Sequence, residues 1–223
     1  MKIAFVTLIS LFAAASVSAE DGWIPLFNGK DLSGWKSNIS TEEKPEEKAD
    51  AFVVEDGVLK VQGGRAHLFY VGDDGKASFT NFEFKAKVKL GATEAGSNSG
   101  IYIHTEFENS GWPSKGYECQ VNSTKHKDVK KTGGLYAVKD VLDVSPAADE
   151  EWFDYEIKVQ GKHIVIKING KVTSDFTEPD DWDPSKTLKN MDGRKLSSGT
   201  IAIQGHDPIS RVYYKDLYLK PLP

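Results

Sequence analysis

Apolar and polar residues alternate at a period of two along most of this chain, and no stretch sustains the spacing of an amphipathic helix. Phe82, Phe84, Ala86, Val88 and Leu90 alternate with Glu83, Lys85, Lys87 and Lys89. Phe153, Tyr155, Ile157 and Val159 alternate in the same way with Asp154, Glu156, Lys158 and Gln160. Each run predicts a strand with one core face and one solvated face. Further strands are predicted over residues 51–54, 58–62, 69–70, 99–104, 117–122, 135–138, 163–168, 171–176, 200–204 and 212–220. Asn169-Gly170 supplies the residue pair favoured in a tight hairpin turn. Many short strands without helices predict an all-β protein, two antiparallel sheets packed as a jelly-roll sandwich.

Three strands carry an unusual second face. In Tyr117-Glu118-Cys119-Gln120-Val121-Asn122, the residues Tyr117, Cys119 and Val121 form the core side. Glu118, Gln120 and Asn122 form the other, one carboxylate and two amides in place of an ordinary solvated surface. In the 99–104 strand, Ile101 and Ile103 leave Tyr102 and His104 opposite; in the 200–204 strand, Ile201 and Ile203 leave Gln204 and then His206. Amides donate and accept hydrogen bonds as sugar hydroxyls do, and a carboxylate or imidazole can move a proton. Such side chains on separate strands, all opposite the aliphatic face, predict the floor of a polar cleft. Long connections at residues 36–50, 105–115, 123–134, 139–151 and 178–198 predict its rim. Residues 41–48, rich in Glu and Lys, read as a charged, solvated excursion, and Trp112 and Trp182 are loop aromatics that could stack on a sugar ring.

The chain opens with Lys2, an apolar run from Ile3 to about Val17, and small residues ending at Ala19. This pattern predicts a cleavable secretory signal over residues 1–19, and the run is too short for a membrane span. Residues 20–223 then form one domain of a secreted or periplasmic protein. The only cysteine, Cys119, falls on the core side of its strand, so a buried, unpaired thiol is expected. A formal net charge of −5 and the absence of a basic aromatic patch argue against a nucleic-acid partner.

The chain resembles the 3-keto-disaccharide hydrolase domain family over nearly all of residues 20–223. The resemblance lies in Pro25-Leu26-Phe27-Asn28-Gly29-Lys30-Asp31-Leu32-Ser33-Gly34-Trp35, Asn98-Ser99-Gly100-Ile101, Gly116-Tyr117-Glu118-Cys119-Gln120-Val121 and Thr132-Gly133-Gly134-Leu135-Tyr136. Trp152, the Ile168-Asn169-Gly170 turn, the Gly199 to His206 strand and the closing Tyr214 to Leu222 segment extend it. Two positions depart from the family pattern, which commonly has Asp at Asn122 and Arg at His104. The resemblance implies a concanavalin A-like jelly roll acting on an oxidised saccharide, a 3-keto-glycoside. On that footing Glu118 is the expected acid/base and His104 or His206 its partner proton carrier. Gln120, Asn122, Gln204 and Tyr102 would hold hydroxyls, with Arg65, Tyr136 and Lys139 polarising the ketone or holding the sugar. One carboxylate among amides suits elimination better than double displacement, which uses two carboxylates. A lectin-like binding domain is the alternative. A divalent metal on His104, Glu118 or His206 is left open by the spacing of one ligand per strand.

Overall fold

The computed structural model describes residues 20–38, 51–62, 64–186 and 188–223. The expected signal over residues 1–19 and the charged excursion at 41–48 lie outside the described residues. The strands, in chain order, begin with β1 (Ile24–Pro25), β2 (Trp35–Ser37), β3 (Phe52–Glu55), β4 (Val58–Val61) and β5 (Ala66–Tyr70). They continue with β6 (Phe82–Leu90), β7 (Asn98–Thr105), β8 (Tyr117–Asn122), β9 (Lys130–Leu135) and β10 (Lys139–Leu142). The last are β11 (Trp152–Gln160), β12 (His163–Ile168), β13 (Lys171–Thr177), β14 (Thr200–Gly205) and β15 (Val212–Pro221). Every pairing among them is antiparallel.

The strands form two sheets. One runs β13-β12-β11-β6-β15-β4-β3, with β1 added along β15; the other runs β10-β9-β8-β7-β14-β5-β2. The protein is therefore the all-β sandwich that the alternation requires. β6 shows why: its Phe82, Phe84, Ala86, Val88 and Leu90 are buried and its lysines point outward. Those side chains meet Ile101, Ile103, Tyr117, Cys119, Val121, Ile201 and Ile203 from the other sheet in one core. Burying each large aliphatic or aromatic side chain contributes about 1.5–3 kcal/mol, so this layer fixes which face of every strand turns inward.

The second sheet differs from the first in being covered on both sides. All residues of β7, β8 and β14 are buried, on the polar face as well as the core face. Phe69, Tyr102 and Ala202 form a separate small cluster there, packed by Val71 and Phe107. Loops lie over this face, and the polar side chains of the expected floor sit between loops and sheet.

Two expectations need correction. The strand expected at 135–138 ends at Leu135, where Val138 N donates to Leu135 O at 3.0 Å and Ala137 takes a positive φ of 63°. The strand instead starts at Lys130, inside the expected 123–134 connection, and β10 begins the expected 139–151 connection. Its Thr132-Gly133-Gly134 segment carries no apolar alternation because packing excludes side chains there. A Cβ on Gly133 would meet Thr173 Oγ1 at 2.4 Å and Ile168 Cγ1 at 2.8 Å. Secondly, the period of two breaks in β7. Thr105 pairs with Thr200 and Tyr102 with Ala202, so two residues of β7 oppose Ile201, and His104 adopts a positive φ of 54°. This bulge rotates His104 off the polar face.

Candidate active site

Register brings the polar face together. Tyr102 lies opposite Glu118 and Gly100 opposite Gln120 on β7 and β8. Ala202 lies opposite Tyr102, and Gln204 opposite His67 on the neighbouring β5. Gly100 leaves the space into which the Glu118 side chain leans, since a Cβ there would stand 2.7 Å from Glu118 Oε1. No other residue type leaves that carboxylate where it is.

The Glu118 carboxylate is 6% exposed and accepts from three side chains. Gln204 Nε2 donates to Oε1 at 2.9 Å, Tyr102 OH donates to Oε2 at 2.9 Å, and Arg194 Nη2 reaches Oε2 at 3.3 Å. Burial first, then the Glu118 charge, pushes the Tyr102 phenol up, which keeps it a donor. Burial works against the Arg194 charge, but Tyr102 and Glu118 outweigh it and the guanidinium is held more firmly protonated than usual. Its plane lies over the Tyr102 ring, 5.1 Å from the centroid, and Nη1 donates to Gly116 O at 3.2 Å. A buried carboxylate with no cation beside it would be costly, and Arg194 is the cation that stands against Glu118 on this floor.

Arg194 comes from the 178–198 connection, expected as rim but without its arginine singled out. That loop is fixed by its own contacts. Gly116 N donates to Gly193 O at 2.9 Å, Trp182 Nε1 to Arg194 O at 2.8 Å, and Leu196 N to Glu178 Oε2 at 2.8 Å. Trp182 thus anchors the loop, packed on Phe176 at 5.5 Å and outside the cavity lining. The loop and the sheet line a half-open cavity of about 690 Å³, large enough for a sugar unit with its substituent. Glu118, Gln120, Gln204, Tyr102, Tyr136 and His206 all line it, as do Trp112, Asn98 and Asp128. Burial, then Asp128 and Glu118, push the Tyr136 phenol up to about 12, and its OH donates to Asp128 Oδ2 at 3.3 Å. Asn98 is 1% exposed and neither atom of its amide has a partner; Gln204 Oε1 is also buried without one.

A second group stands at the same cavity. His206 Nδ1 donates to Asp207 Oδ2 at 2.8 Å. Asp207 also accepts from Ile209 N, Ser210 N and Ser210 Oγ, each at 2.8 Å. Burial alone would raise the Asp207 carboxyl, but these hydrogen bonds hold it far below the usual carboxylate range. The His126 ring lies 5.7 Å from that of His206, and Trp112 lies 6.0 Å from it on another side. Nitrogen and oxygen atoms of His126, His206 and Asp207 lie within 4.8 Å of one another, which makes them the described residues able to hold a metal ion.

Four expected residues stand elsewhere. His104, turned by the bulge, packs its ring on the core residue Phe82 at 5.7 Å. Its Nε2 donates to Thr80 O at 2.8 Å and its Nδ1 accepts from Ser197 N at 3.2 Å, so neither nitrogen is available to a substrate. Asn122 is a loop brace: its Nδ2 donates to Asp128 O at 3.1 Å and Lys130 O at 2.7 Å. Arg65 stands outside the cavity lining with its guanidinium 5.8 Å from the Trp112 ring, and Lys139 is exposed on β10. Arg194 and Asp128, which line the cavity, and His126 and Asp207, which stand beside its lining residue His206, are what strand parity missed. All four lie on loops, where spacing carries no facing information, although the lengths of the 123–134 and 178–198 connections marked the right segments.

The fold has wide company. A protein from Parabacteroides distasonis, described as a "putative glycosyl hydrolase", matches with a TM-score of 0.72 and 25% identity over 91% of this chain and 94% of that one. The carbohydrate-binding module CBM66 from Bacillus subtilis matches with a TM-score of 0.56 at 10% identity, over 85% and 97% of the two chains. The laminarinase from Rhodothermus marinus matches with a TM-score of 0.53 at 14% identity, over 89% and 95%. At such identities the last two show the concanavalin A-like fold alone, one being a binder and the other a hydrolase. No curated protein matches the chain. A family model matches residues 22–220, and the chain therefore belongs to the 3-keto-alpha-glucoside-1,2-lyase-like domain family.

Proposed function

We propose that the protein is a carbohydrate-active enzyme that cleaves 3-keto-glycosides by elimination, with Glu118 as the proton carrier. Family membership and the likeness to a described glycosyl hydrolase support action on carbohydrate. The ketone narrows the chemistry. A carbonyl at C3 acidifies the C2 proton, which passes to Glu118 as the C2–H electrons form an enolate. The enolate then expels the aglycone oxygen from C1, which takes up a proton, and leaves an enone. A lyase stops there; addition of water across the enone gives net hydrolysis. The path needs one base at C2, a proton for the leaving group, and stabilisation of the enolate oxygen.

The observation that carries this reading is the setting of Glu118: one carboxylate on the sheet floor, flanked by Gln120 and Gln204, held by Arg194 at the base of a half-open cavity. Amides and phenols around one proton carrier suit a polyhydroxylated substrate that supplies its own activation. Replacing Glu118 with Gln tests it. Gln204, whose Oε1 has no partner, can turn over to accept from the new amide, so the floor is preserved. Turnover of a 3-keto-glycoside should fall by about 10²–10⁴-fold with little change in binding. Undiminished turnover would pass the role to another residue.

One observation favours a second reading. Asp128, from the loop after β8, brings another carboxylate to the cavity, so ordinary two-carboxylate hydrolysis is the competitor. Its Oδ1 accepts from Lys130 N at 2.9 Å and its Oδ2 from Tyr136, which commits it to shaping the loop. A panel of glycosides with and without the 3-keto group separates the two: cleavage of the unoxidised sugars would favour the paired carboxylates. Binding of glycans with no cleavage of either set would favour a lectin-like domain. Export to the periplasm or beyond belongs to the same proposal, supported by the signal pattern of residues 1–19 and tested by the N-terminal mass of the exported protein.

A further inference from the structure

We propose that His126, His206 and Asp207 form a divalent-metal site at the cavity, taking a first-row transition ion of the zinc and cobalt type. Their ligand atoms lie within 4.8 Å of one another, and two of the three residues are imidazoles. Imidazole nitrogen selects this class of ion, whereas calcium and magnesium favour oxygen ligands throughout. The His206–Asp207 contact alone would not single out a site. The exposed pair His163 and Asp175 shows the same 2.8 Å hydrogen bond on the outside of the sandwich. What differs is the company: a second imidazole faces His206, and the group adjoins the cavity that contains Glu118.

Two further features point to a ligand here. Asn98 lines the same cavity, 1% exposed, with both atoms of its amide unpartnered. Buried amides are nearly always hydrogen-bonded, so this one is set for a bound molecule or an ion's water. The protein also fixes the three ligand residues without the ion. Asp207 is pinned by the Ile209 and Ser210 hydrogen bonds. The His126 loop is pinned from beneath by the buried Lys131 ammonium, which donates to Ser123 O at 3.0 Å, His126 O at 2.8 Å and Asp128 O at 2.5 Å. His126 itself gives up only a long contact, 3.2 Å from Asp128 N to its Nδ1. An ion between Asp207 Oδ2 and His206 Nδ1 replaces the proton they share, which moves to Nε2 of the same ring.

Resting on the proposed function, the ion would hold the C3 carbonyl oxygen and a neighbouring hydroxyl, and so stabilise the enolate that Glu118 creates. The binding claim is tested without substrate. Zinc chloride, and separately cobalt chloride, is titrated calorimetrically into chelator-treated protein, with the visible absorption of the cobalt form as a second readout. One ion per chain is expected. His126→Ala and His206→Ala should each weaken binding by at least about 10-fold and remove the cobalt band, while His163→Ala should change neither. His126→Ala carries the decision because it removes just one long hydrogen bond; near-ultraviolet circular dichroism checks that the variant is folded. No stoichiometric binding by the wild type, or unchanged affinity in folded His126→Ala, overturns the site. Binding without cleavage of any 3-keto-glycoside keeps the metal site and removes the functional reading. Cleavage that persists with no metal binding does the reverse.

Discussion

Replacing His67 with Phe should make the fold less sensitive to acid, by an amount the structure sets. His67 is 1% exposed beside the cavity floor, packed edge-on against Tyr102 at 5.3 Å and Trp112 at 5.2 Å, and neither ring nitrogen has a partner. Burial first, then the charges of Arg194 and His206, lowers its pKa to about 3. In the unfolded chain the ring titrates at about 6.5. Above pH 6.5 both states are neutral and the group has no effect on stability. Between 6.5 and 3 the unfolded chain takes up a proton that the folded one refuses, so stability falls as the pH drops. The slope is about 1.4 kcal/mol per pH unit, and the loss from pH 6.5 to pH 4 is about 3 kcal/mol. His67→Phe removes this loss and also removes a buried N–H with no acceptor, so at pH 7 it should be neutral or mildly stabilising. Urea denaturation followed by tryptophan fluorescence at pH 7, 5.5 and 4 measures both. Carboxylates titrate alike in the two proteins, so the difference between the curves isolates His67. Parallel curves for wild type and variant, or a His67 ring resonance titrating near pH 6, would refute the reasoning.

Gly100→Ala should displace the Glu118 carboxylate, because the added methyl meets Oε1 at 2.7 Å; activity is expected to fall at least about 10-fold with the fold retained, as read by turnover and circular dichroism. Arg194→Met should cost about 3–5 kcal/mol in urea denaturation by stranding the buried Glu118 charge, and markedly less when combined with Glu118→Gln. Equal costs in the two backgrounds would mean that Arg194 acts through packing alone. Cys119 is 0% exposed and burial pushes its thiol up, so a thiol reagent should leave it unlabelled in the native protein and label it fully in denaturant.

Sequence alone settled which side of most strands turns inward. The side-chain period of a strand is two, and the core-side apolar residues of β6, β8, β11 and β14 keep it without interruption. Core placement of Cys119 and the shared floor of Glu118, Gln120, Gln204 and Tyr102 follow from that regularity, and so does the two-sheet architecture. Where the backbone breaks the period, parity misleads. The bulge opposite Ile201 sends His104 to the core edge, and nothing in the string Ile103-His104-Thr105 announces a positive φ. The glycines of β9 hide a strand, because a segment in close contact with Thr173 and Ile168 has no side chains left to show an alternation. Loop residues escaped for a different reason. Arg194 lies 76 residues from Glu118 along the chain, and the salt bridge between them exists because Gly193, Trp182 and Glu178 fix the loop's path. His126 joins His206 and Asp207 only once β8 and β14 lie in one sheet and Lys131 has folded its loop inward. Local periodicity decides the facing of a strand; which loop atoms meet across it is decided by packing between distant segments, and only the folded chain contains that information.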